Sequence, residues 1–330
     1  MGNTNNSSLR PPVPNNWDAI HIPSQKDKIA VITGANSGIG FETALQLARN
    51  GAHVVLACRS ADRGREAEAK IQEALSSQSG AGSVEFMQVD VSDLSSVKSF
   101  AESFKKSHHR LDLLINNAGI MGGAYAETID GYERQFATNH LGHFALTAHL
   151  FDVVKHSAPA RIVNVSSVVH YNAVTFDEDE IMATENTYSQ WLNYANTKVC
   201  NILFTLELDR RMKAAGVQGV AAVACHPGTT SSNLLTAPST TNSNLIWTTV
   251  FKLWALVPRQ SIPMGALPTL YAATGRNVEG GDFFGPKYLN STFGYPVHVA
   301  PSKLSLSPTA ATKLWTLSER LAHLSFTIEK

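Results

Sequence analysis

Charge is scarce in this sequence: 16% of residues are Asp, Glu, Lys or Arg, and the two signs tie at 27 each. A chain without net charge has no basic field to draw nucleic acid or an anionic membrane, so a neutral or hydrophobic partner fits better. Cysteine is almost missing. Cys58, Cys200 and Cys225 are an odd set, far apart, inside apolar runs and without a CxxC pair. That excludes a disulfide framework, gives no thiolate metal motif and suits a reducing, cytoplasmic compartment. No apolar run reaches the ~20 residues of a membrane span. The most hydrophobic late segment, 245–257, is short and carries Lys252, so at most it lies on a membrane as a peripheral patch. A GxSxG elbow is absent, which argues against a serine hydrolase on an α/β frame. Internal repeats and long low-complexity linkers are lacking too.

What is present is a globular composition with 43% hydrophobic residues. Residues 1–26 are polar and rich in Pro and Asn, and read as a flexible leader, neither signal nor anchor. Gly2 does not make a myristoylation motif, because the required hydroxyl position holds Asn6 and Ser7 comes one place late. From residue 27 to 330 a single domain is expected. Short apolar runs at 29–33, 53–57, 84–90, 111–116, 161–166 and 219–225, with a later one at 282–285, alternate with segments of helical period. This is the pattern of βαβ units, hence a Rossmann-type doubly wound α/β fold of about seven parallel strands with helices on both faces. The irregular stretch 227–263 follows the sixth strand and is placed to cover a ligand site beyond the strand ends.

Directly after the first strand stands TGANSGIG, with Gly34, Gly38 and Gly40 leading into a helix. Glycines there permit a tight turn and close approach of backbone to a pyrophosphate, which the helix N-terminus attracts. The plainer alternative is a turn that merely needs positive φ. The second strand ends in LACRS, where Arg59 replaces the acid that would accept from a ribose hydroxyl, and the first acid is Asp62. An arginine there tolerates a 2'-phosphate, so NADP(H) is preferred and NAD(H) is the alternative; a solvated surface arginine is the bland reading. Tyr194 and Lys198, one helical turn apart, share a face. His140, His143, His170 and His226 have no zinc-type spacing and read as core or surface residues, so no metal is expected.

These residues, with VDVSD (89–93), NNAG (116–119), NHLGHF (139–144), RIVNVSS (161–167), YANTK (194–198) and HPG (226–228), resemble the short-chain dehydrogenase/reductase family. GANSGIG, ACR, NVSSVVH and HPG are similar to its retinol-dehydrogenase-like and WW-domain-oxidoreductase-like branch, and GALPTLYAATGRNVEGGDFFGP to microbial members of that branch. The resemblance runs from about Asp27 to the C-terminal helix. It implies Asn139, Ser167, Tyr194 and Lys198 as catalytic residues, with Ser166 the alternative serine. By it Tyr194 is the general acid, its phenol lowered by Lys198 and an oxidised nicotinamide; Ser167 steadies the substrate oxygen; Asn139 holds a water in a proton relay. It also implies cofactor contacts from Gly34, Ser37, Gly38, Ile39, Gly40, Asp90, Val91, Asn117, Ala118, Gly119, Tyr194, Lys198, Pro227, Gly228 and Thr230. After HPG this chain reads TTSSNL, more polar than the branch pattern, which leaves Thr229 to Ser232 open.

Between Ser167 and Tyr194 lies a long insertion whose DEDE centre reads as a solvated face. Tyr171, Phe176 and Trp191, with Leu245, Trp247, Phe251 and Trp254, are expected either to line an apolar substrate cavity or to be ordinary core. Three functions compete. The first is an NADP(H)-dependent oxidoreductase for a hydrophobic alcohol, ketone or aldehyde, as homodimer or monomer. The others are an idle nucleotide-binding relative acting through a protein partner, and a membrane-peripheral enzyme.

Overall fold

A computed structural model of the chain describes residues 11–173, 175–230 and 259–330. Its frame is eight strands: β1 (Ile29–Thr33), β2 (His53–Cys58), β3 (Ser83–Gln88), β4 (Leu113–Asn116), β5 (Ala160–Val165), β6 (Val220–Cys225), β7 (Phe283–Tyr288) and β8 (Phe293–His298). They lie in the order β3-β2-β1-β4-β5-β6-β7-β8. Every neighbouring pair through β7 is parallel, and β8 runs antiparallel to β7. The chain winds outward from β1 to β3, then returns to place β4 on the other side of β1. That reversal opens a crevice at the carboxyl ends of β1 and β4, the place where such sheets hold ligands.

The strands are apolar throughout because both faces are covered. Ala30, Ile32, Val54, Leu56 and Cys58 point into one core, shared with α1 (Gly38–Arg49), α2 (Ala61–Leu75) and α6 (Ile262–Thr274). Val31, Val55 and Ala57 point into the other, with α3 (Leu94–Ser107), α4 (Gly142–His156) and α5 (Gln190–Ala214). Alternation along each strand therefore feeds two helical layers from one sheet. The last helix, α7 (Pro308–Leu321), packs on α5 in a third cluster that includes Leu203 and Leu314.

Two expectations change. The sheet has an eighth strand, whose signal is weak because Pro296 interrupts it and the turn before it has no glycine. Leu289, Asn290 and Ser291 all adopt positive φ there. Pro286 and Pro296 face each other across the pair, which an edge strand tolerates because its outer N–H groups need no partner. The second change concerns the leader. From Val13 onward it is packed: Val13, Trp17 and Ile22 are buried, and Trp17 meets Tyr271 of α6 edge-on with ring centres 5.0 Å apart. Apolar side chains spaced through a polar segment anchor it where composition alone suggests a loose tail.

Candidate active site

The crevice holds a cavity of about 330 Å³. Its floor is the glycine loop. Gly34 and Gly38 adopt φ of +68° and +57°, the left-handed region that glycine takes without penalty. At Gly40 a Cβ would come within 2.5 Å of the Gly34 carbonyl oxygen, so the third glycine is there for close packing of helix on turn. Ser37, at the N-cap of α1, makes no side-chain capping bond. The first-turn N–H groups of α1 are thus left to a ligand, whereas Ser60 accepts from the Arg63 N–H and caps α2. A helix N-terminus with free donors and no side chain in the way fits the pyrophosphate of a dinucleotide.

The loop is held from behind by Thr33. Its hydroxyl oxygen accepts from the Asn117 and Ala118 N–H groups, both at 2.9 Å. The same hydroxyl lies 2.9 Å from Nε2 of His143, whose Nδ1 lies 3.2 Å from the Asn139 carbonyl. Only one arrangement satisfies all four contacts: a neutral His143 donates from Nδ1 and accepts the Thr33 proton at Nε2. Burial pushes His143 down to about 4, which keeps it neutral. His143 therefore ties the glycine strand to the helix carrying Asn139, a role its spacing in the sequence did not suggest.

At the adenosine end Arg59, Ser60, Arg63, Asp90 and Val91 line the cavity. The Arg59 side chain is 63% exposed and its Nε is 3.9 Å from an Asp90 oxygen, a loose pair in which the guanidinium keeps most of its donors. Arg63, one turn into α2, was missed by sequence reading; it joins Arg59 because the chain turns back over the strand end. Asp62 is not among the lining residues.

At the opposite end Ser167, Tyr194 and Lys198 converge. Tyr194 and Lys198 are nearly buried, and the lysine Nζ lies 5.6 Å from the tyrosine ring centre while donating to the Val165 carbonyl at 3.1 Å. Burial pushes the phenol up to about 12, and a hydrogen bond from Ser167 works against it. Burial also pushes the lysine down to about 8. Desolvation is the larger effect on the phenol and keeps it a neutral acid in this setting. Ser166 points elsewhere, donating to the Lys198 carbonyl at 2.7 Å, which leaves Ser167 as the serine at Tyr194.

Asn139 sits behind this group in a π-helical turn, Ala137–Leu141, that leads into α4. Its amide donates to the Ile120 carbonyl at 2.9 Å and the Thr197 hydroxyl at 3.0 Å, and its oxygen accepts from the Ile120 N–H at 2.8 Å. Both amide protons are used, so the side chain clamps the loop after β4 to the Tyr194 helix, and its oxygen keeps one lone pair. Gly119 makes the approach possible, since a Cβ there would lie 3.2 Å from the Asn139 oxygen and 3.4 Å from the Lys198 Nζ.

Every residue expected to touch cofactor, from Gly34 through Thr230, lines this one cavity. Pro227 and Gly228 are fixed by Gln260, whose Nε2 donates to the Pro227 carbonyl at 2.6 Å, and by the β7–β8 turn. Gly228 has φ +64°, and a Cβ on it would strike the Thr292 carbonyl at 2.2 Å. Thr230 donates to the Pro227 carbonyl at 3.0 Å. The aromatic residues of the insertion do not line the cavity: Phe176 packs in the core with Phe136 and Leu141, and the Tyr171 hydroxyl donates to the Ala300 carbonyl. Leu245, Trp247, Phe251 and Trp254 lie outside the described residues, as does Ser232. The same is true of most of the 227–263 stretch. Within DEDE, Asp177, Glu178 and Asp179 are exposed, as expected.

A doubly wound sheet with a dinucleotide cradle beside a half-buried Ser and a buried Tyr and Lys defines a Rossmann-type oxidoreductase. The comparisons give the particular family. A short chain dehydrogenase family model matches residues 28–177. WW domain-containing oxidoreductase of Gallus gallus is 37% identical over 334 residues, spanning 94% of this chain and 74% of that protein. Retinol dehydrogenase 11 of Homo sapiens is 38% identical over 293 residues, 88% of this chain and 84% of that protein. A solved structure of an uncharacterised protein from Mycobacterium paratuberculosis is 37% identical, with TM-score 0.75 over 95% of this chain and 100% of that one. The chain belongs to the short-chain dehydrogenase/reductase family and is an oxidoreductase, and a nicotinamide cofactor goes with that family.

Proposed function

We propose that the protein transfers a hydride between NADP(H) and a hydrophobic alcohol, ketone or aldehyde, with Tyr194 as general acid and base. The observation that carries this reading is the convergence of Ser167, Tyr194 and Lys198 on the cavity that also holds the glycine loop. The nicotinamide supplies or accepts the hydride. Tyr194, neutral in its buried setting, is suited to give a proton to a carbonyl oxygen as charge develops there. Ser167 donates to that oxygen, and Lys198 holds positive charge beneath the phenol. Asn139 positions the pair through Thr197. Ile120, Met121, Val168 and Val169 make the nearby wall apolar, and the retinol dehydrogenases among the relatives point to lipophilic substrates. A panel of lipophilic carbonyls and alcohols followed at 340 nm tests the proposal. An idle nucleotide-binding protein would hold cofactor and consume none.

The two serines separate cleanly by experiment. Ser167→Ala should lower turnover by ~10²-fold, the cost of losing one donor to a developing oxyanion. Ser166→Ala should leave turnover near normal and cost about 1 kcal/mol of stability through its lost bond to Lys198. Reversed effects would move the substrate oxygen to Ser166.

For the cofactor, Arg59→Ala should weaken NADPH by roughly 1.5–3 kcal/mol, the range for hydrogen bonds to a charged group, and barely change NADH. Arg63→Ala should act in the same direction. Fluorescence titrations of both cofactors at low and high salt decide it. Equal NADPH and NADH affinities in the wild type would remove the NADP(H) assignment and leave the hydride chemistry intact. We place the enzyme in the cytoplasm because Cys58, Cys200 and Cys225 are free and buried, which suits a reducing compartment. Among the described residues no helix is long and apolar enough to cross a membrane.

A further inference from the structure

At the opposite end of β2 from Arg59 lies a cluster that the hydride chemistry does not use. His53 opens β2, Glu85 is in β3, and His108 follows the last turn of α3. His53 pairs with Ser83 and Val55 with Glu85, so His53 and Glu85 stand on the same face of the sheet, the face that Val55 shares with Phe104 of α3. His108 Nε2 lies 2.5 Å and His53 Nε2 3.3 Å from the same Glu85 oxygen, Oε1. All three donor atoms fall within 4.8 Å of one another.

We propose that His53, Glu85 and His108 bind a divalent transition-metal ion, with Zn²⁺ the best match. Two imidazoles and a carboxylate are the donor types Zn²⁺ takes, whereas Mg²⁺ and Ca²⁺ want oxygen alone. With metal–ligand bonds of about 2.0–2.2 Å, tetrahedral donors sit roughly 3.3 Å apart. The two separations from Glu85, 2.5 and 3.3 Å, lie below and at that figure, so small side-chain rotations that spread His108 from Glu85 admit the ion. Both ring orientations are already supported. The Ser83 hydroxyl is 2.7 Å from Nδ1 of His53 and can take its proton, which leaves the Nε2 lone pair for metal. The His108 ring rests on Phe104 with centres 4.8 Å apart, and its main-chain N–H donates to the Phe104 carbonyl at 2.8 Å. Side-chain exposures of 30%, 37% and 13% for His53, Glu85 and His108 leave one side open for water as the fourth ligand. The ion would join edge strand β3 to the end of α3. Arg59 lies roughly 20 Å farther along β2 at ~3.3 Å per residue, so cofactor affinity should not respond.

Chelator-treated full-length protein titrated with ZnCl₂ in a calorimeter, with MgCl₂ as control, tests the site. One Zn²⁺ per chain should bind saturably, raise the melting temperature and leave NADPH affinity unchanged, while MgCl₂ gives no heat. Glu85→Gln and His108→Gln should each weaken Zn²⁺ at least 100-fold, and Ser83→Ala by ~10-fold, the lower end for an outer-shell partner. His109→Gln, at the exposed neighbouring histidine, should change nothing. Metal-free melts of each variant separate lost binding from lost folding, and Glu85→Gln keeps a hydrogen-bonding side chain of the same shape. No saturable binding by the wild type overturns the proposal. So does Zn²⁺ affinity within about threefold of wild type in both Glu85→Gln and His108→Gln, because Glu85 would then only hold two imidazoles by hydrogen bonds.

Discussion

Tyr194→Phe should cut turnover by ~10²–10⁴-fold, the usual contribution of a positioned general acid, while NADPH still binds. The substitution keeps the ring and its packing in a residue that is almost fully buried, and removes only the proton donor. Steady-state rates at 340 nm, paired with a cofactor titration by fluorescence, give both halves of the result. Turnover within about threefold of wild type would place the acid elsewhere. Tyr188 is a poor substitute, because its hydroxyl already accepts from Gln135 at 2.7 Å and donates to the Gly123 carbonyl, outside the cavity. The pH profile carries a second signature. Burial pushes Lys198 down to about 8, so its charge is present below that pH and lost above it. Carbonyl reduction should therefore slow as pH rises through about 8, well before the phenol, held near 12, gives up its proton.

Much of this site could be read from the sequence because its chemistry is local. Tyr194 and Lys198 meet by helical spacing, and the glycines of the first turn do what positive φ and close packing require of them. Residues brought together only by the fold were less legible. Arg63 reaches the cavity because α2 doubles back over the end of β2, and Trp17 is anchored by a ring 254 positions away at Tyr271. The π turn at 137–141 leaves no pattern in residue type, yet it presents Asn139 to Ile120 and Thr197. Gly142, just after the turn, lets α4 approach the loop after β3 closely, since a Cβ there would strike the Val91 carbonyl. β8 escaped notice because a proline and a glycine-free turn look unlike a hairpin. The protonation of the phenol is less legible for another reason. Charge partners can be counted in a sequence, but the depth of burial that outweighs them cannot.

Burial of histidine leads to the largest expected effect on stability. His140, His143, His170 and His226 are all buried, and desolvation pushes them down to about 3, 4, 4 and 3. In the unfolded chain each titrates near 6.5, so below that pH the unfolded state binds protons that the folded state refuses. Stability is thus full above about pH 6.5 and is lost as pH falls toward 4. At pH 5.5, one unit below the unfolded value, each histidine costs about 1.4 kcal/mol relative to pH 7.5, and the four together about 5 kcal/mol. That is comparable with the whole stability of many domains, about 5–15 kcal/mol. Carboxylates act in a different window: Asp93, lowered by the Ser95 hydroxyl and the Ser96 and Ser95 N–H groups, contributes its loss only below the usual carboxylate range. Chemical denaturation at pH 7.5, 6.5 and 5.5 measures the slope directly. Three of the four rings also hold the site, His143 through Asn139 and Thr33, His170 through the Ser167 carbonyl at 2.7 Å, and His226 through the Gly228 N–H at 3.2 Å. Acid should therefore loosen the catalytic end of the cavity as it unfolds the sheet, and NADPH should restore part of the lost stability by binding the folded state. A denaturation midpoint that stays flat between pH 7.5 and 5.5 would mean that these rings accept protons without unfolding, through water or a carbonyl reaching them in the folded state.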